Sequence, residues 1–297
     1  MNPERIELDN GILSASVLPA RGGKTASLKL QKTDFELLSQ PSRGYPELKS
    51  GMRFSDGDAS GFDDVFPSMG EHFTGYEGYP DLLLPDHGEV WSRAFRVRSV
   101  SKRHVRMETE GSILPYHYEK EISLSGNMMK ESVLIRNTGD RPFPWLWVCH
   151  CLMRLDADTR FAFPVGVEEV ECLPGCTYPS PDGLHTRVNA PDLKFSAAPP
   201  AGHCMKFYFE KPVRQGVCRV LYPSEGIRAE MRFDPGKLPY LGFWITTGAY
   251  RGEANFAFEP ASGYYDTWEK ALESGTLSML EAGRSVQFEI SISINEI

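Results

Sequence analysis

The sequence predicts an all-β protein, specifically a large antiparallel β-sandwich, and three observations lead to this fold class. Segments in which apolar and polar residues alternate recur along most of the chain, and turn residues separate them. Only one stretch, Tyr265 to Glu273, has the pattern of a helix, and it is short. No repeat, low-complexity tract or linker interrupts the 297 residues, so we predict a single domain over residues 1–297. Large all-β folds commonly form one domain at this length.

The strands at the start of the chain are short and are joined by turns. Strand patterns run from Ile6 to Leu8, from Ile12 to Leu18 and from Ser27 to Leu30. Asp9-Asn10-Gly11 and Arg21-Gly22-Gly23 lie between them, and turns that contain Gly in this way are typical of hairpins. We therefore expect the chain to begin with hairpins.

The rest of the chain consists of one long insertion followed by a series of strands. Residues 40 to 93 are rich in Gly, Pro, Asp and aromatic residues and have no sustained period, and long loops of this kind tend to carry function. Residues 164 to 203 are also rich in turn residues. The predicted strands are Phe95 to Val100, Val105 to Thr109, Tyr116 to Leu124, Met129 to Ile135, Trp145 to Leu155, Met205 to Glu210, Val217 to Tyr222, Ile227 to Phe233, Leu241 to Thr247, Asn255 to Glu259 and Val286 to Ile294. Their alternation suits antiparallel strands with one solvated face.

Composition and charge exclude several classes of partner. The formal net charge is −8 and no run of Lys or Arg occurs, so we expect neither nucleic acid nor an anionic membrane as a partner. The first five residues lead straight into a strand pattern and no run of 18 apolar residues occurs. We therefore expect a soluble, cytoplasmic protein, either a monomer or a homodimer. Six cysteines are too few for a disulfide scaffold, and an intracellular setting would keep them reduced.

Glu259 is the first candidate for a catalytic residue. It lies at the end of the apolar segment Asn255 to Glu259 and directly before Pro260, and a residue that precedes proline is pushed into extended geometry. Period two places Asn255, Ala257 and Glu259 on one face of the strand. Partial desolvation there would raise the pKa of the carboxyl group toward neutrality, which suits a general base. The alternative is an ordinary glutamate that faces solvent at a strand end.

Two histidines are candidates for proton transfer. His87 lies between Pro85 and Gly88 in the insertion, which presents it on a shaped loop; the alternative is a histidine that only caps a turn. His150 lies in a very apolar strand and shares a face with Leu146, Val148 and Leu152. Such a histidine must find a partner or lose its proton, and a satisfied core histidine is the commoner explanation. With Glu259 the two histidines suffice for proton transfer without a metal or a cofactor.

Motifs for metals and nucleotides fail on their spacing. Residues 56 to 61 resemble the first half of a calcium loop, but Pro67 stands where the loop needs a bidentate Glu. Cys172, Cys176, His185 and Cys204 have zinc-like content without the spacing of a finger or ribbon. No phosphate-binding Gly-rich loop follows a strand. We expect no metal and no cofactor.

The order of these pieces resembles the aldose 1-epimerase (galactose mutarotase) family over nearly the whole chain. Each motif is weak alone, but several in the right order are fairly specific. The segments that carry the resemblance are Leu13 to Gly23 with Ser27-Leu28 and Glu36-Leu37-Leu38, Gly61-Phe62-Asp63-Asp64-Val65-Phe66-Pro67, Pro85-Asp86-His87-Gly88, His150, Phe258-Glu259-Pro260 with Asp266, and the closing strand from Gly283 to Ile294.

The resemblance implies a large β-sandwich that interconverts the α and β anomers of an aldose. Glu259 would take the proton from the anomeric hydroxyl, His150 would deliver a proton to the ring oxygen, and His87 would hold the sugar. The family also uses an aspartate to bind sugar hydroxyls, and its place here stays open among Asp63, Asp64 and Asp182. Five tryptophans could supply a flat apolar wall for a sugar ring, although most should be core: Trp91, Trp145, Trp147, Trp244 and Trp268.

The substrate expected from the residues is a neutral aldose. The sugar-phosphate branch of the family usually carries an arginine close after its His-Gly, and Trp91 occupies that region here. Arg53 and Arg93 lie nearby in sequence and could compensate, but acidic residues crowd the same insertion.

Two other functions stay open at the level of the sequence. A sugar-binding or sensory protein could keep the cleft without turnover. A polysaccharide lyase or glycoside hydrolase is the third possibility, and hydrolysis would need a second carboxylate at roughly 5 to 10 Å from Glu259.

Overall fold

The protein is mostly antiparallel β-sheet, which confirms the predicted all-β sandwich. The computed structural model describes residues 4–49, 52–73, 78–79, 82–164, 169–173, 187–189, 201–264 and 266–297. In chain order the strands are β1 (Ile6–Asp9), β2 (Leu13–Leu18), β3 (Lys24–Leu30), β4 (Phe35–Glu36), β5 (Phe62–Val65), β6 (His72–Phe73), β7 (Leu83–Leu84), β8 (Arg96–Ser101), β9 (His104–Glu110), β10 (Tyr116–Ser125), β11 (Met128–Asn137), β12 (Phe143–Trp145), β13 (Val148–Cys151), β14 (Met153–Arg154), β15 (Arg160–Ala162), β16 (Glu169–Cys172), β17 (Arg187–Asn189), β18 (Cys204–Phe209), β19 (Val217–Tyr222), β20 (Ile227–Phe233), β21 (Tyr240–Thr247), β22 (Ala254–Ala261), β23 (Ser278–Leu280) and β24 (Ser285–Glu296).

Two large sheets dominate the described part of the chain. The first has the order β1-β2-β3-β5-β13-β22-β21-β18-β16-β17, with β4 beside β3 and β14 beside β22. The second has the order β15-β19-β20-β24-β11-β10-β9-β8. Two small pairs, β12 with β23 and β6 with β7, complete the sheets. The site described below lies on the first sheet.

The alternation predicted for the segment from Asn255 to Glu259 is present in β22. Phe256 and Phe258 point into an aromatic core, where the Phe256 ring meets that of Phe161 at a centroid distance of 4.7 Å. Ala257 and Glu259 lie on the opposite face, which lines a cleft. The burial of the two phenylalanines therefore fixes the direction in which Glu259 points.

One predicted strand is divided in the structure. The stretch from Trp145 to Leu155 forms the end of β12, β13 and β14, with irregular backbone at Leu146 and Trp147. There the Leu146 amide donates to the Pro67 carbonyl and the Trp147 amide donates to the Ser262 hydroxyl. These tertiary hydrogen bonds replace ladder bonds and let the chain pass from a small sheet to the large one.

The helix is α1 (Trp268–Glu273), which is shorter at its start than the predicted segment from Tyr265. Thr267 has extended backbone and its side chain accepts a hydrogen bond from the Lys270 amide, so the helix begins after this cap. Tyr265 itself lies outside the described residues. Within the described part of the chain, no helix combines the length and the apolar character needed to cross a membrane.

Candidate active site

A small cleft on the first sheet gathers Glu259 and both candidate histidines. Its volume is about 170 Å³, below the roughly 300–1,000 Å³ typical of pockets for drug-sized ligands. The lining side chains are those of Phe54, Ala59, Met69, Asp86, His87, His150, Leu152, Lys206, Trp244, Tyr250, Glu259 and Asp266, with Gly70 at the edge. The size suits a ligand of about one sugar ring.

Glu259 is buried at the base of the cleft, with 1% of its surface exposed. It lies on β22 directly opposite Gly242 of β21. A Cβ atom at Gly242 would come within 3.0 Å of Glu259 Oε2 and of the Tyr208 ring. Because Gly242 has no side chain, the Glu259 carboxylate has room beside it.

Two charged groups contact or approach this carboxylate. Lys206 Nζ lies 3.1 Å from Glu259 Oε2 and 3.2 Å from Asp266 Oδ1, so one ammonium joins two carboxylates. Burial raises the pKa of Glu259 above its ordinary value; Lys206 opposes this shift and Asp266 reinforces it. The result is a carboxylate that binds a proton more readily than an exposed glutamate does.

His150 is the nearer of the two histidines to Glu259. Its Nε2 lies 3.9 Å from Glu259 Oε1, and its Nδ1 has no hydrogen-bond partner among the described residues. Burial lowers the pKa of His150 well below its ordinary value, and the nearby His87, Lys206 and Lys24 lower it further. His150 is therefore neutral at physiological pH, when its imidazole can donate through one nitrogen only.

His87 is held in the cleft by its backbone, an aspartate and an aromatic ring. Its φ angle is 61°, which is unusual for a residue with a side chain, and its amide donates to the Met69 carbonyl. Its Nδ1 lies 2.8 Å from Asp86 Oδ1, and its ring stacks on Phe54 at 3.9 Å between centroids. The His150 ring meets it edge-on at 5.0 Å. Strained backbone of this kind clusters at functional sites.

Asp86 keeps a low pKa in this pairing. Burial acts to raise the pKa of its carboxyl group, but the hydrogen bond to His87, the proximity of His87 and Lys206, and a hydrogen bond from the Phe54 backbone together outweigh burial, so the net shift is downward. Asp86 is thus ionised and fixes which nitrogen of His87 carries a proton toward it.

Trp244 and Tyr250 form an aromatic wall of the cleft. The Trp244 indole donates through Nε1 to Asn255 Oδ1 at 3.1 Å, and the Tyr250 ring meets it edge-on at 5.5 Å. Asn255 in turn donates to the Ala59 carbonyl. The indole plane is therefore fixed before any ligand binds. Of the five tryptophans considered from the sequence, Trp244 alone is among the described side chains that line the cleft.

The structure does not bring Asp63 and Asp64 into the lining of the cleft. Both are fully buried on β5. Asp63 Oδ2 lies 2.8 Å from Lys24 Nζ, and Asp64 Oδ2 lies 2.8 Å from Lys120 Nζ. Buried lysines from other strands pair with both carboxylates, so neither carboxylate is presented to a ligand in the cleft. Asp182, the third aspartate considered, lies outside the described residues.

Trp91 and Arg53 also lie outside the cleft lining. Trp91 is buried behind Phe54, whose ring it meets edge-on at 5.1 Å, so it supports a wall of the cleft from outside. The Arg53 side chain is 69% exposed and, among the described residues, lies 3.9 Å from Glu71. Arg93 lies 3.1 Å from the buried Glu89.

Among the described residues, no group of three or more His, Cys, Asp or Glu side chains is arranged to hold a metal ion. Of the four residues with zinc-like content, Cys176 and His185 lie outside the described residues, Cys172 ends β16 and Cys204 begins β18.

The sequence did not predict that Lys206 lies in the site. It named Asp266 only as part of the motif around Glu259, without a role. The available signal was weak, because Lys206 is a single lysine in the otherwise apolar segment from Cys204 to Phe209. A buried polar residue in an apolar strand calls for a partner, but the sequence does not say that the partner is Glu259.

Comparison with known proteins supports the fold. A protein from Synechocystis sp. PCC 6803 has a TM-score of 0.76 at 17% identity, covering 100% of this chain and 97% of its own. A protein from Escherichia coli K12, provisionally named an aldose 1-epimerase, has a TM-score of 0.74 at 18% identity over 99% of both chains. A galactose mutarotase-like protein from Lactobacillus casei ATCC 334 has a TM-score of 0.72 at 14% identity, covering 98% of this chain and 100% of its own.

These similarities extend over the whole chain, and at such low identity they concern the fold. No model of a known protein family matches the sequence, and no curated protein matches it. The chain has the galactose mutarotase-like fold that its motifs predicted.

Proposed function

We propose that this protein is an aldose 1-epimerase that interconverts the α and β anomers of a free sugar. The observation that carries the proposal is the pairing of Glu259 with His150 in a cleft sized for one sugar ring. The carboxylate is buried and has a raised pKa, and its Oε1 lies 3.9 Å from the imidazole Nε2. A base and a proton donor that face the same small space suffice for ring opening.

Glu259 acts as the general base in this proposal. Its carboxylate removes the proton from the anomeric hydroxyl, and the electron pair of that O–H bond forms the carbonyl as the bond from C1 to the ring oxygen breaks. The ring oxygen becomes negative and accepts a hydrogen bond from His150 Nε2. Rotation about the next carbon–carbon bond presents the other face of the carbonyl, the ring oxygen attacks C1 there, and Glu259 returns its proton to the anomeric oxygen, so no proton is gained or lost overall.

His150 donates as a neutral imidazole in this scheme. Its lowered pKa means that it does not carry a positive charge at rest, but a neutral imidazole can still donate a hydrogen bond to an oxygen that becomes negative. The positive charges that lower its pKa, including that of Lys206, also stabilise negative charge that develops on the ring oxygen. The same electrostatic environment thus serves both effects.

The remaining polar groups of the cleft are candidates to bind sugar hydroxyls. His87 holds the sugar, and Asp86 and Asp266 are the aspartates that line the cleft among the described residues. We propose that one of these two, in place of Asp63 or Asp64, binds sugar hydroxyls. Trp244 offers the flat apolar surface against which a sugar ring packs.

The charge of the cleft favours a neutral aldose over a sugar phosphate. Three carboxylates, those of Asp86, Glu259 and Asp266, line it against one lysine in the described part of the chain. Lys206 is shared between two of them, and neither Arg53 nor Arg93 is among the lining residues. A dianionic phosphate would be repelled by this surplus of negative charge.

The test is polarimetry of freshly dissolved α-glucose and α-galactose with and without the protein. We expect catalysed mutarotation of at least one of them, with a lower kcat/KM for glucose 6-phosphate at matched ionic strength. A protein that binds these sugars and leaves the rate of rotation unchanged would instead be a carbohydrate-binding or sensory protein.

Glycoside hydrolysis is the second candidate, because Asp266 is a second carboxylate close to Glu259. Both carboxylates contact Lys206 Nζ, and hydrolases use a pair of such groups. One of the pair must act as an acid, and Lys206 opposes the rise in the pKa of Glu259 that this role needs. Release of nitrophenol from nitrophenyl glycosides, without mutarotation, would favour hydrolysis.

A further inference from the structure

We propose that Lys206 and Asp266 are positioning residues that set the proton affinity of Glu259, with Asp266 drawing part of the ammonium's charge away from the base. The inference rests on the proposed function, because it concerns the residue that acts there as the base. It deepens that function by explaining how a buried glutamate beside a lysine stays basic.

The geometry places one ammonium between two carboxylates. Lys206 lies on β18, two strands away from β22, and its side chain is 11% exposed. Tyr208, two residues further along β18, lies opposite Gly242, which lies opposite Glu259. Since Gly242 has no side chain, Lys206 can reach across β21 to Glu259 Oε2 at 3.1 Å while it remains 3.2 Å from Asp266 Oδ1.

Asp266 is fixed by contacts of its own. The Tyr208 hydroxyl donates to Asp266 Oδ1 at 2.6 Å. The backbone carbonyl of Asp266 accepts from the amides of Met69 and Gly70, at 3.2 and 2.8 Å. The backbone of Asp266 is therefore tied to the loop that carries Met69 into the cleft, and its carboxylate cannot leave Lys206 without breaking the bond from Tyr208.

Electrostatics predicts opposite effects for the two partners. A lysine close to a carboxylate favours its ionised form and lowers its pKa, which weakens it as a base. A second carboxylate on the same lysine offsets that effect by its negative charge. Burial and Asp266 raise the pKa of Glu259, Lys206 lowers it, and the net shift is upward. A general base works best when its pKa approaches the operating pH.

The other titratable groups around Glu259 come from the elements that pack on it. In the described part of the chain they are Cys149 and His150 on β13, Tyr208 on β18, Tyr250 before β22, and His87 with Asp86 in the loop before β8. His150 is neutral and Asp86 is paired with His87. Lys206 and Asp266 are thus the charged groups whose removal should change Glu259 most directly.

The experiment compares Lys206→Met and Asp266→Asn by the pH dependence of kcat/KM for mutarotation. In parallel, the titration of Glu259 is followed by carbon NMR of protein labelled at the glutamate carboxyl groups, with Glu259→Gln to assign its signal. The acid limb is the part of the profile in which kcat/KM falls as the pH is lowered and Glu259 becomes protonated. We expect it to move to higher pH in Lys206→Met and to lower pH in Asp266→Asn, by about one pH unit or more in each. The titration of Glu259 should move in the same two directions.

Lys130→Met is the matched control. Lys130 Nζ lies 3.1 Å from Glu289 Oε1, the same separation as between Lys206 and Glu259, but the two side chains are 42% and 49% exposed. Removal of this lysine should leave the acid limb unchanged. Lys206→Arg keeps the cation and should return the limb toward that of the unaltered protein.

Shifts in the same direction for the two variants, or no shift in Asp266→Asn, would overturn the inference. Asp266→Asn preserves the shape of the side chain, so its downward shift is required even if Lys206→Met does not fold. If the unaltered protein does not catalyse mutarotation, the proposed function fails, and the NMR titration still decides the inference. If the unaltered protein does catalyse mutarotation and the acid limbs of Lys206→Met and Asp266→Asn do not move apart, the inference alone fails.

Discussion

Two groups of charged residues, both of which involve strands of the first sheet, occupy different environments. The sealed cluster is buried between the sheets and consists of Arg21, Lys24, Asp58, Asp63, Asp64, Lys120 and Glu131. The cleft cluster is open to solvent on one side and consists of Asp86, His87, His150, Lys206, Glu259 and Asp266. Both combine carboxylates with lysines, so residue type alone does not distinguish them.

Within the sealed cluster, the three cations Arg21, Lys24 and Lys120 balance the three aspartates Asp58, Asp63 and Asp64. Lys24 contacts Asp58 and Asp63, and Arg21 lies 3.6 Å from Asp58. Lys120 Nζ lies 2.8 Å from Asp64 Oδ2, which also accepts from the Tyr118 hydroxyl at 2.6 Å. Burial and the charge of Asp64 raise the pKa of Glu131 well above its ordinary value, which favours its neutral form.

The cleft cluster has a surplus of carboxylate instead. Lys206 serves both Glu259 and Asp266, and Asp86 pairs with a histidine. A balanced buried cluster has no charge left for a ligand, whereas a surplus carboxylate beside open space can take a proton. The comparison teaches that the ratio of cations to carboxylates, together with access, separates a structural cluster from a chemical one.

The largest expected effect is on catalysis and comes from Glu259→Gln. The amide preserves the shape of the side chain and removes the base, so we expect mutarotation to fall by about 10²- to 10⁴-fold. Polarimetry measures the rate, and a thermal unfolding curve close to that of the unaltered protein shows that the fold is kept. Retention of most of the activity would place the base elsewhere in the cleft cluster.

Lys120→Met should break the sealed cluster and affect stability. It leaves Asp64 buried without its cation, and removal of one partner of a buried ion pair lowers the free energy of unfolding by about 3–5 kcal/mol. Urea denaturation measures the loss, with the exposed Lys130→Met as control, for which we expect a change within about 0.5 kcal/mol. Equal effects of the two substitutions would contradict the distinction between sealed and exposed charges.

Trp244→Ala should weaken substrate binding with a smaller effect on the chemistry. The substitution removes the fixed indole wall, and we expect KM to rise roughly tenfold, which corresponds to about 1.4 kcal/mol of binding free energy. Steady-state mutarotation rates over a range of sugar concentration separate KM from kcat. A fall in kcat with unchanged KM would show that Trp244 acts on the proton-transferring groups instead.

Arg53→Gln should have the smallest effect. Its side chain is exposed and its contact with Glu71 at 3.9 Å is an exposed ion pair, which contributes about 0–1 kcal/mol to stability. We expect kcat/KM for glucose and for glucose 6-phosphate to stay within about twofold, since a side chain that does not contact the substrate leaves its binding free energy nearly unchanged. A selective loss with the phosphate would show that Arg53 reaches the bound ligand.

The sequence predicted the strands and the face on which Glu259 lies because their causes are local. Alternation fixes which residues of β22 are buried, and Pro260 holds Glu259 extended at that point. The grouping of His87, His150 and Glu259 came from the order of motifs, and the structure places the three side chains around one cleft.

The places of Asp63 and Asp64 could not be predicted in the same way. Both lie in a segment with a motif for the family, yet their partners, Lys24 and Lys120, come from distant strands. Lys206 was missed for the same reason, because its partner Glu259 is distant in sequence. Local patterns report on burial, whereas the pairing of charges depends on which strands become neighbours.

Gly242 gives the cleft a simple sequence criterion. This glycine contributes no functional group, but a methyl group there would press on Glu259 Oε2 and on the Tyr208 ring at 3.0 Å. Proteins of this fold that have a glycine opposite the corresponding glutamate and a lysine two strands away should therefore share the arrangement in which one lysine lies between two carboxylates. In proteins that have a larger residue at this position, other groups should set the pKa of that glutamate.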